Sequence, residues 1–315
     1  MAAGVFLSGA RYVLGEQEVH HTELPGLEAK AAEYGLAVNA GLWGWGSVFR
    51  TERGLDDLAV EAGAKTLRAC GIDPGEVDAL VFCCTSSPGP PEGHGGFLRG
   101  VLTRLGLGDI AVYGVGMGRC VNLLSGLDIA TALVTTGRYR RVLVVTTDRV
   151  FDEDTRITGY ALFSDGGAAC LVHAEANGEA NDGAYEVLGC ASAQETASLD
   201  WSSEISSDLA KRVNEELLGP RGMRTAEVDA LLHANIYLPL LVMKERQAGF
   251  GTGQLDTTNT TRVGHCFAAD PLINLADREA SGRTRPGGYY LLASSVPGSR
   301  IGVLARKPGG ATHVR

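Results

Sequence analysis

Three residues have the types and spacing to do chemistry together. Cys120 follows Gly114-Val115-Gly116-Met117-Gly118-Arg119 and opens an apolar stretch, Cys120 to Thr136, that reads as a buried helix closing at Gly137. At a helix N-terminus the unpaired N–H groups and the dipole favour a thiolate. Glycines just before it permit a tight, strained turn whose backbone N–H groups can form an oxyanion hole. His265, in Arg262-Val263-Gly264-His265-Cys266, stands before a helical stretch running from Pro271 to Ser281. An imidazole is the base or acid that such a sulfur needs. Asp270, five residues further on, either orients the far nitrogen of His265 or caps that helix. Cys120, His265 and Asp270 therefore read as nucleophile, base and orienting carboxylate, against the alternative of a buried structural cysteine.

Other residues carry weaker signals. His233-Ala234-Asn235 ends an apolar strand, where ligands of α/β folds usually bind, so either polar side chain could face a site. Trp43-Gly44-Trp45-Gly46, followed by Arg50, offers aromatic faces and a cation suited to adenine or pantetheine, although core anchoring explains the tryptophans as well. Phe163-Ser164-Asp165-Gly166-Gly167-Ala168-Ala169 is a turn of small residues entering an apolar strand, where glycine permits close backbone approach.

The elements that must position these groups alternate along the chain. Leu58 to Cys70 reads as an amphipathic helix ended by Gly71, and Ala79 to Cys84 as a buried strand. Arg141 to Thr147 is β-branched and reads as a strand covered on both faces. Glu76-Val77-Asp78-Ala79-Leu80-Val81 recurs as Glu227-Val228-Asp229-Ala230-Leu231-Leu232, 151 residues later. A helix, here Ser207 to Leu218, precedes the second copy too. The echo points to a duplicated α/β architecture of mostly parallel strands, with halves at 1–175 and 176–315 packed as one body.

The chain has 315 residues, enough for a large core, and a net charge of −9, which argues against a dedicated nucleic-acid binder. No apolar run reaches the length of a membrane span, and the first residues lack the pattern of a signal peptide. Seven cysteines, several inside apolar runs, suit buried thiols in a reducing cytoplasm better than a disulfide framework. No metal-ligand spacing such as CxxC or HExxH occurs.

With these residues in view, the chain resembles the thiolase superfamily and, within it, the β-ketoacyl-ACP synthase III-like enzymes. Phe82-Cys83-Cys84-Thr85-Ser86-Ser87-Pro88 is similar to a strand and turn of that family, and Cys120 falls at its acyl-carrying cysteine. Phe163 to Ala169 is similar to its "FGDGAgA" turn, the most specific of the matches. The resemblance implies duplicated βαβαβαββ halves in five layers, αβαβα, and a homodimer. It also implies oxyanion donors at the backbone of Cys120 and near Gly298, in an altered loop, Ser295-Val296-Pro297-Gly298-Ser299.

The departures are informative. Ordinary members pair the cysteine with a His in "HQAN" and an Asn in "GNTS". Here His265 stands where the Asn would be, and the first motif is reduced to His233-Ala234-Asn235. This pattern is similar to a divergent branch of antibiotic and polyketide pathways that uses Cys (or Ser), His and an Asp five residues after the His. The resemblance thus implies an acyltransferase: Cys120 takes an acyl group from acyl-ACP or acyl-CoA, and His265, oriented by Asp270, passes it to a small hydroxyl or amine acceptor. Asn235 is expected to hydrogen-bond substrate or His265, and no metal or redox cofactor is implied. Two alternatives stand beside this: decarboxylative condensation with malonyl-ACP, using His265 with His233 or Asn235, and a non-catalytic partner subunit.

Overall fold

Short runs of β-branched and small apolar residues, cut by glycine and proline, form the strands of this computed structural model, which describes residues 4–86, 88–174, 183–200 and 206–309. In chain order they are β1 Val5–Leu14, β2 Gln17–His20, β3 Ser47–Arg50, β4 Ala79–Cys83, β5 Ala111–Val115 and β6 Arg141–Asp148. β7 Gly166–Ala174, β8 Tyr185–Gln194, β9 Ala230–His233, β10 Tyr289–Val296 and β11 Ser299–Arg306 follow. β2 and β3 form a small separate ribbon, and the other nine make one sheet in the order β5-β4-β6-β7-β1-β8-β11-β10-β9.

That order contains the duplication. Outward from the centre, β1-β7-β6-β4 on one side is answered by β8-β11-β10-β9 on the other, with β5 added at the outer edge of the first half. The two copies of the six-residue echo lead into β4 and β9, which occupy equivalent places. The first half ends with β7 at Ala174 and the second begins with β8 at Tyr185, and position 175 lies outside the described residues. β1 and β8 share only two register pairs, Phe6↔Glu186 and Leu7↔Tyr185, so the sheet hinges there into two half-sheets.

The apolar helix Asn122–Thr135 touches β4, β6 and β7 of one half-sheet and β8, β10 and β11 of the other. The helix Asp270–Ala280 likewise meets β1 and β7 together with β9 and β10. Both lie in a central layer. Helix Leu55–Cys70 covers the outside of the first half-sheet and helix Ser207–Leu218 that of the second, which completes five layers, αβαβα. Leu123, Leu124 and Leu127 of the central helix are buried almost completely, each contributing roughly 1.5–3 kcal/mol by leaving water. A helix apolar on most sides is what a layer sandwiched between two sheets requires.

One expectation about the sheet is corrected. Parallel pairing is confined to β4 with β5 and β6, and β9 with β10; the β6–β7, β7–β1, β1–β8, β8–β11 and β10–β11 ladders are antiparallel. The cause is local. Pro297-Gly298 closes β10 onto β11 in a two-residue turn, with Gly298 at φ +70, and so short a link can join only antiparallel neighbours.

Candidate active site

The candidate nucleophile sits where the first half-sheet delivers its chain to the central layer. β5 ends at Val115, a turn follows, and Cys120 lies in the 3-10 turn Arg119–Val121 just ahead of helix Asn122–Thr135. The sulfur is thus one turn upstream of the α-helix that the sequence places it in. The expected strain is present but is carried by different residues: Met117 and Arg119 hold φ of +67 and +59, while Gly118 has an ordinary φ of −80. Such left-handed backbone at non-glycine residues costs energy that the surroundings must supply. Asn122 is part of that support. Its amide donates to Cys84 O at 2.8 Å and its oxygen accepts from Gly118 N at 2.9 Å, clamping the turn to the end of β4. Ser294 Oγ on β10 donates to Cys120 O at 2.9 Å, and Arg119 Nη2 donates to Pro297 O at 3.1 Å.

The second half supplies the partner. His265 Nε2 is 3.2 Å from Cys120 Sγ, and its Nδ1 is 2.5 Å from Asp270 Oδ2. All three side chains are buried, His265 to 1% exposure and Asp270 to none. Asp270 does not cap its helix. Its Oδ2 also accepts from Asn235 N at 2.6 Å and its Oδ1 from Cys266 N at 2.8 Å, so the carboxylate is fully employed in orienting the loop and the imidazole. Burial disfavours a charged imidazole, yet the charges of Cys120 and Asp270 overcome it and raise His265 to about 10.

The small-residue turn holds this histidine in place. Ser164 N donates to His265 O at 2.9 Å, His265 N donates to Leu162 O at 2.8 Å, and Ser164 Oγ bonds Val263 O. Asp165 accepts from Thr51 N, Val150 N and the buried Arg156, tying the turn to β3 and to the end of β6. Gly264, at φ +71, lies so close to the turn that a Cβ would stand 2.8 Å from Leu162 O. The motif's role here is to fix the His265 loop.

The structure places the remaining candidates less simply. The Asn235 side chain donates to Gly264 O at 3.0 Å and accepts from Asn274 at 3.1 Å, so it braces the His265 loop and touches the relay only through its backbone N–H. His233 is turned away. Its Nδ1 meets Ala234 O and its Nε2 meets Lys244 Nζ, in a buried network with Glu245, Ser295 and Arg300 behind β10. Burial, then the nearby Lys244, holds the His233 imidazole well below its usual pKa and therefore neutral. Gly298 lies on the turn that Arg119 reaches; its carbonyl accepts from Glu195 N, and no hydrogen bond within the described residues takes its own N–H. The Trp43 ring meets that of Tyr237 at a tilt, 5.7 Å between centroids, with its indole N–H on Ala37 O, whereas Arg50 is engaged by Glu153 at 2.6 Å. Trp45 is buried in the core beside Val48 and Tyr237.

Residues that the sequence reading passed over also shape the site. Asn122 and Ser294 are two, and a polar residue inside an otherwise apolar helix or strand was the available signal. Asp148, at the end of β6, accepts from Thr85 N at 2.7 Å and Ser86 N at 3.1 Å, and burial pushes its carboxyl up to about 7. Among the described residues no cluster of His, Cys, Asp and Glu could hold a metal ion, and no helix is long and apolar enough to cross a membrane.

A buried cysteine between duplicated half-sheets, set against a His–Asp pair from the second half, is the arrangement this fold builds. Comparisons with known proteins agree. Residues 117–188 match the family described as 3-oxoacyl-[acyl-carrier-protein] synthase III. The chain is 26% identical over 278 residues to a β-ketoacyl-[acyl-carrier-protein] synthase III of Streptomyces coelicolor, covering 79% of this chain and 81% of that one. In fold it is similar to the acyltransferase ChlB3, at TM-score 0.80 with 18% identity over 98% and 99% of the two chains. It is also similar to OleA of Xanthomonas campestris, at TM-score 0.80 with 17% identity over 97% and 99%. The chain thus has the thiolase fold and is similar over most of its length to β-ketoacyl-[acyl-carrier-protein] synthase III proteins.

Proposed function

We propose that this enzyme moves an acyl group from acyl-ACP or acyl-CoA, through a thioester on Cys120, to a small hydroxyl or amine acceptor in natural-product biosynthesis. The observation that carries this is the relay Cys120 Sγ–His265 Nε2, His265 Nδ1–Asp270 Oδ2, at 3.2 and 2.5 Å. The thiolate attacks the donor carbonyl, and the backbone N–H groups of Cys120 and Gly298 receive the oxyanion. The carbon–sulfur bond to the donor breaks, and His265 gives its Nε2 proton to the departing thiolate. Acylation erases the charge on Cys120, one of the two that raise His265, so the imidazolium becomes a better acid when a proton is needed. The neutral imidazole then takes the acceptor's proton, the new C–O or C–N bond forms, and Cys120 leaves as thiolate with His265 again protonated.

Decarboxylative condensation would want two neutral donors converging on an enolate. His233 has both nitrogens occupied and the Asn235 amide is spent on Gly264 O, which favours transfer over condensation. The enzyme works as a homodimer in this reading, supported by the outer edge of β5, which carries no strand among the described residues. No cofactor beyond the co-substrate thioester is required.

Intact-protein mass spectrometry of wild type and Cys120→Ala, incubated with acyl-CoA and acyl-ACP donors, tests the proposal. An acyl adduct on wild type alone supports it and names the donor. Loss of CO2 from malonyl-ACP would move the reading to condensation, and the absence of any adduct would move it to a partner subunit.

A further inference from the structure

The relay accounts for the nucleophile, the acid–base group and the oxyanion, and one polar group beside it has no task. Tyr160 sits on the turn between Ile157 and Leu162, which pair with each other. Its ring stands edge-on to His265 at 6.4 Å and to Phe163 at 5.8 Å, and it packs against the cluster of Ala234, Ile236 and Leu241. The backbone is held: Tyr160 O accepts from Tyr237 N at 2.8 Å, and Tyr237 in turn donates its hydroxyl to Thr158 O at 2.9 Å. The ring is therefore fixed, yet the phenol hydroxyl makes no hydrogen bond within the described residues. The oxygen is not sealed from water, and the ring that carries it lies against His265. Burial first, and then the Cys120 charge, push the phenol well above its usual pKa, keeping it a neutral O–H that both donates and accepts.

Surface tyrosines usually satisfy their hydroxyl with water, and a tyrosine needed only for packing would serve as well as phenylalanine. A hydroxyl without a protein partner among the described residues, on a ring held against His265 and Phe163, is different: it is available to hydrogen-bond a molecule bound at that histidine. In the first half-reaction every polar requirement is met without it. In the second, the acceptor must present one hydroxyl to His265 and to the thioester carbon at once, and a single contact to His265 leaves it free to rotate.

We infer that Tyr160 is a specificity residue for the acceptor: its hydroxyl hydrogen-bonds a second polar group next to the attacked hydroxyl, so the enzyme prefers vicinally substituted acceptors to simple alcohols. The inference rests on the acyltransferase reading and deepens it.

The test separates the half-reactions. Cys120 is loaded with S-acetyl-N-acetylcysteamine, a donor that depends on neither CoA nor carrier protein, and acetylation is followed by intact mass. The acetyl-enzyme is then discharged with cyclohexanol or with its vicinal diol, trans-cyclohexanediol. Wild type should favour the diol by about 3- to 10-fold, the worth of one added hydrogen bond in a partly buried site. Tyr160→Phe, which keeps the ring, should load Cys120 at the wild-type rate and lose that preference through a slower diol reaction. Equal diol preference in both proteins overturns the inference. So does loading slowed as much as discharge, or an acetyl-enzyme that neither alcohol discharges faster than buffer. Failure of wild type to load at all is a failure of the acyltransferase reading and is seen before the alcohols are added.

Discussion

Replacing Asp270 by Asn probes the relay at its most connected point. Asp270 Oδ2 accepts from His265 Nδ1 at 2.5 Å and from Asn235 N at 2.6 Å, while Oδ1 accepts from Cys266 N at 2.8 Å. An asparagine has one acceptor oxygen for these two positions. If that oxygen takes the Oδ2 place, the amide NH2 faces Cys266 N–H; if it takes the other, His265 loses its partner. The first orientation orphans one buried donor and the second two, His265 Nδ1–H and Asn235 N–H, at about 1–3 kcal/mol each. Loss of the charge-assisted bond to the imidazolium, about 1.5–3 kcal/mol, should appear directly in the acylation barrier as a roughly 10- to 150-fold slower rate. The charge also supports the His265 pKa of about 10, so kcat/KM for acylation should fall on a limb near that pH in wild type, where the imidazolium is lost. In Asp270→Asn the limb should move toward neutral pH. Rapid-quench intact mass from about pH 6 to about pH 10.5, a window that spans the shift from an unperturbed histidine, measures both quantities. Acylation at the wild-type rate with an unmoved limb would refute the reasoning that Asp270 orients and charges His265.

Asn122→Ala should release the nucleophile turn by orphaning Cys84 O and Gly118 N, at about 1–3 kcal/mol each, so denaturant unfolding should show a stability loss alongside slower acylation. Glu245→Ala should cost about 3–5 kcal/mol, because it leaves Lys244 and Arg300 buried without their counter-charge, whereas acylation of whatever protein folds should proceed. Burial depresses Lys244 to about 8, so its penalty is present below that pH and is relieved as pH rises from there toward 10.5; Lys244→Met should abolish that gain in a pH series of thermal unfolding. Asp148→Asn keeps an acceptor for Thr85 N and Ser86 N and removes a carboxyl held at about 7. Because that raised pKa makes the carboxylate costly once pH exceeds about 7, the variant should match or exceed wild-type stability at pH 8, a gain that shrinks as pH falls toward 3.8. Equal pH dependence in the two proteins would contradict it.

Much of the protein was determined by the chain as written. Glycine after an amphipathic run marks the end of helix Leu55–Cys70, where Gly71 takes φ +64, and local backbone preference is enough to place such a boundary. The buried β-branched run became β6, and the echo led to the equivalent strands β4 and β9, because hydrophobic period and turn chemistry act within a few residues. The five-residue spacing of His265 and Asp270 also suffices, since both lie on one loop leading into one helix.

What only the tertiary structure decided involves groups far apart in sequence. That Cys120 meets His265 across 145 residues depends on two half-sheets pressing one helix layer between them. His233 ends β9 and Asn235 follows two residues later, yet one meets Lys244 and the other braces Gly264. Strand alternation would put positions 233 and 235 on one face, but β9 ends at His233, so Asn235 is turned by the loop that follows and by its bonds to Gly264 O and Asn274. The sense of the strands away from the β10–β11 turn likewise followed from β1 lying between β7 and β8, a pairing no local preference specifies. Residue types mark the chemistry available to this chain, and long-range packing selects which of them converge, because burial and orientation belong to the folded assembly of elements and not to any one of them.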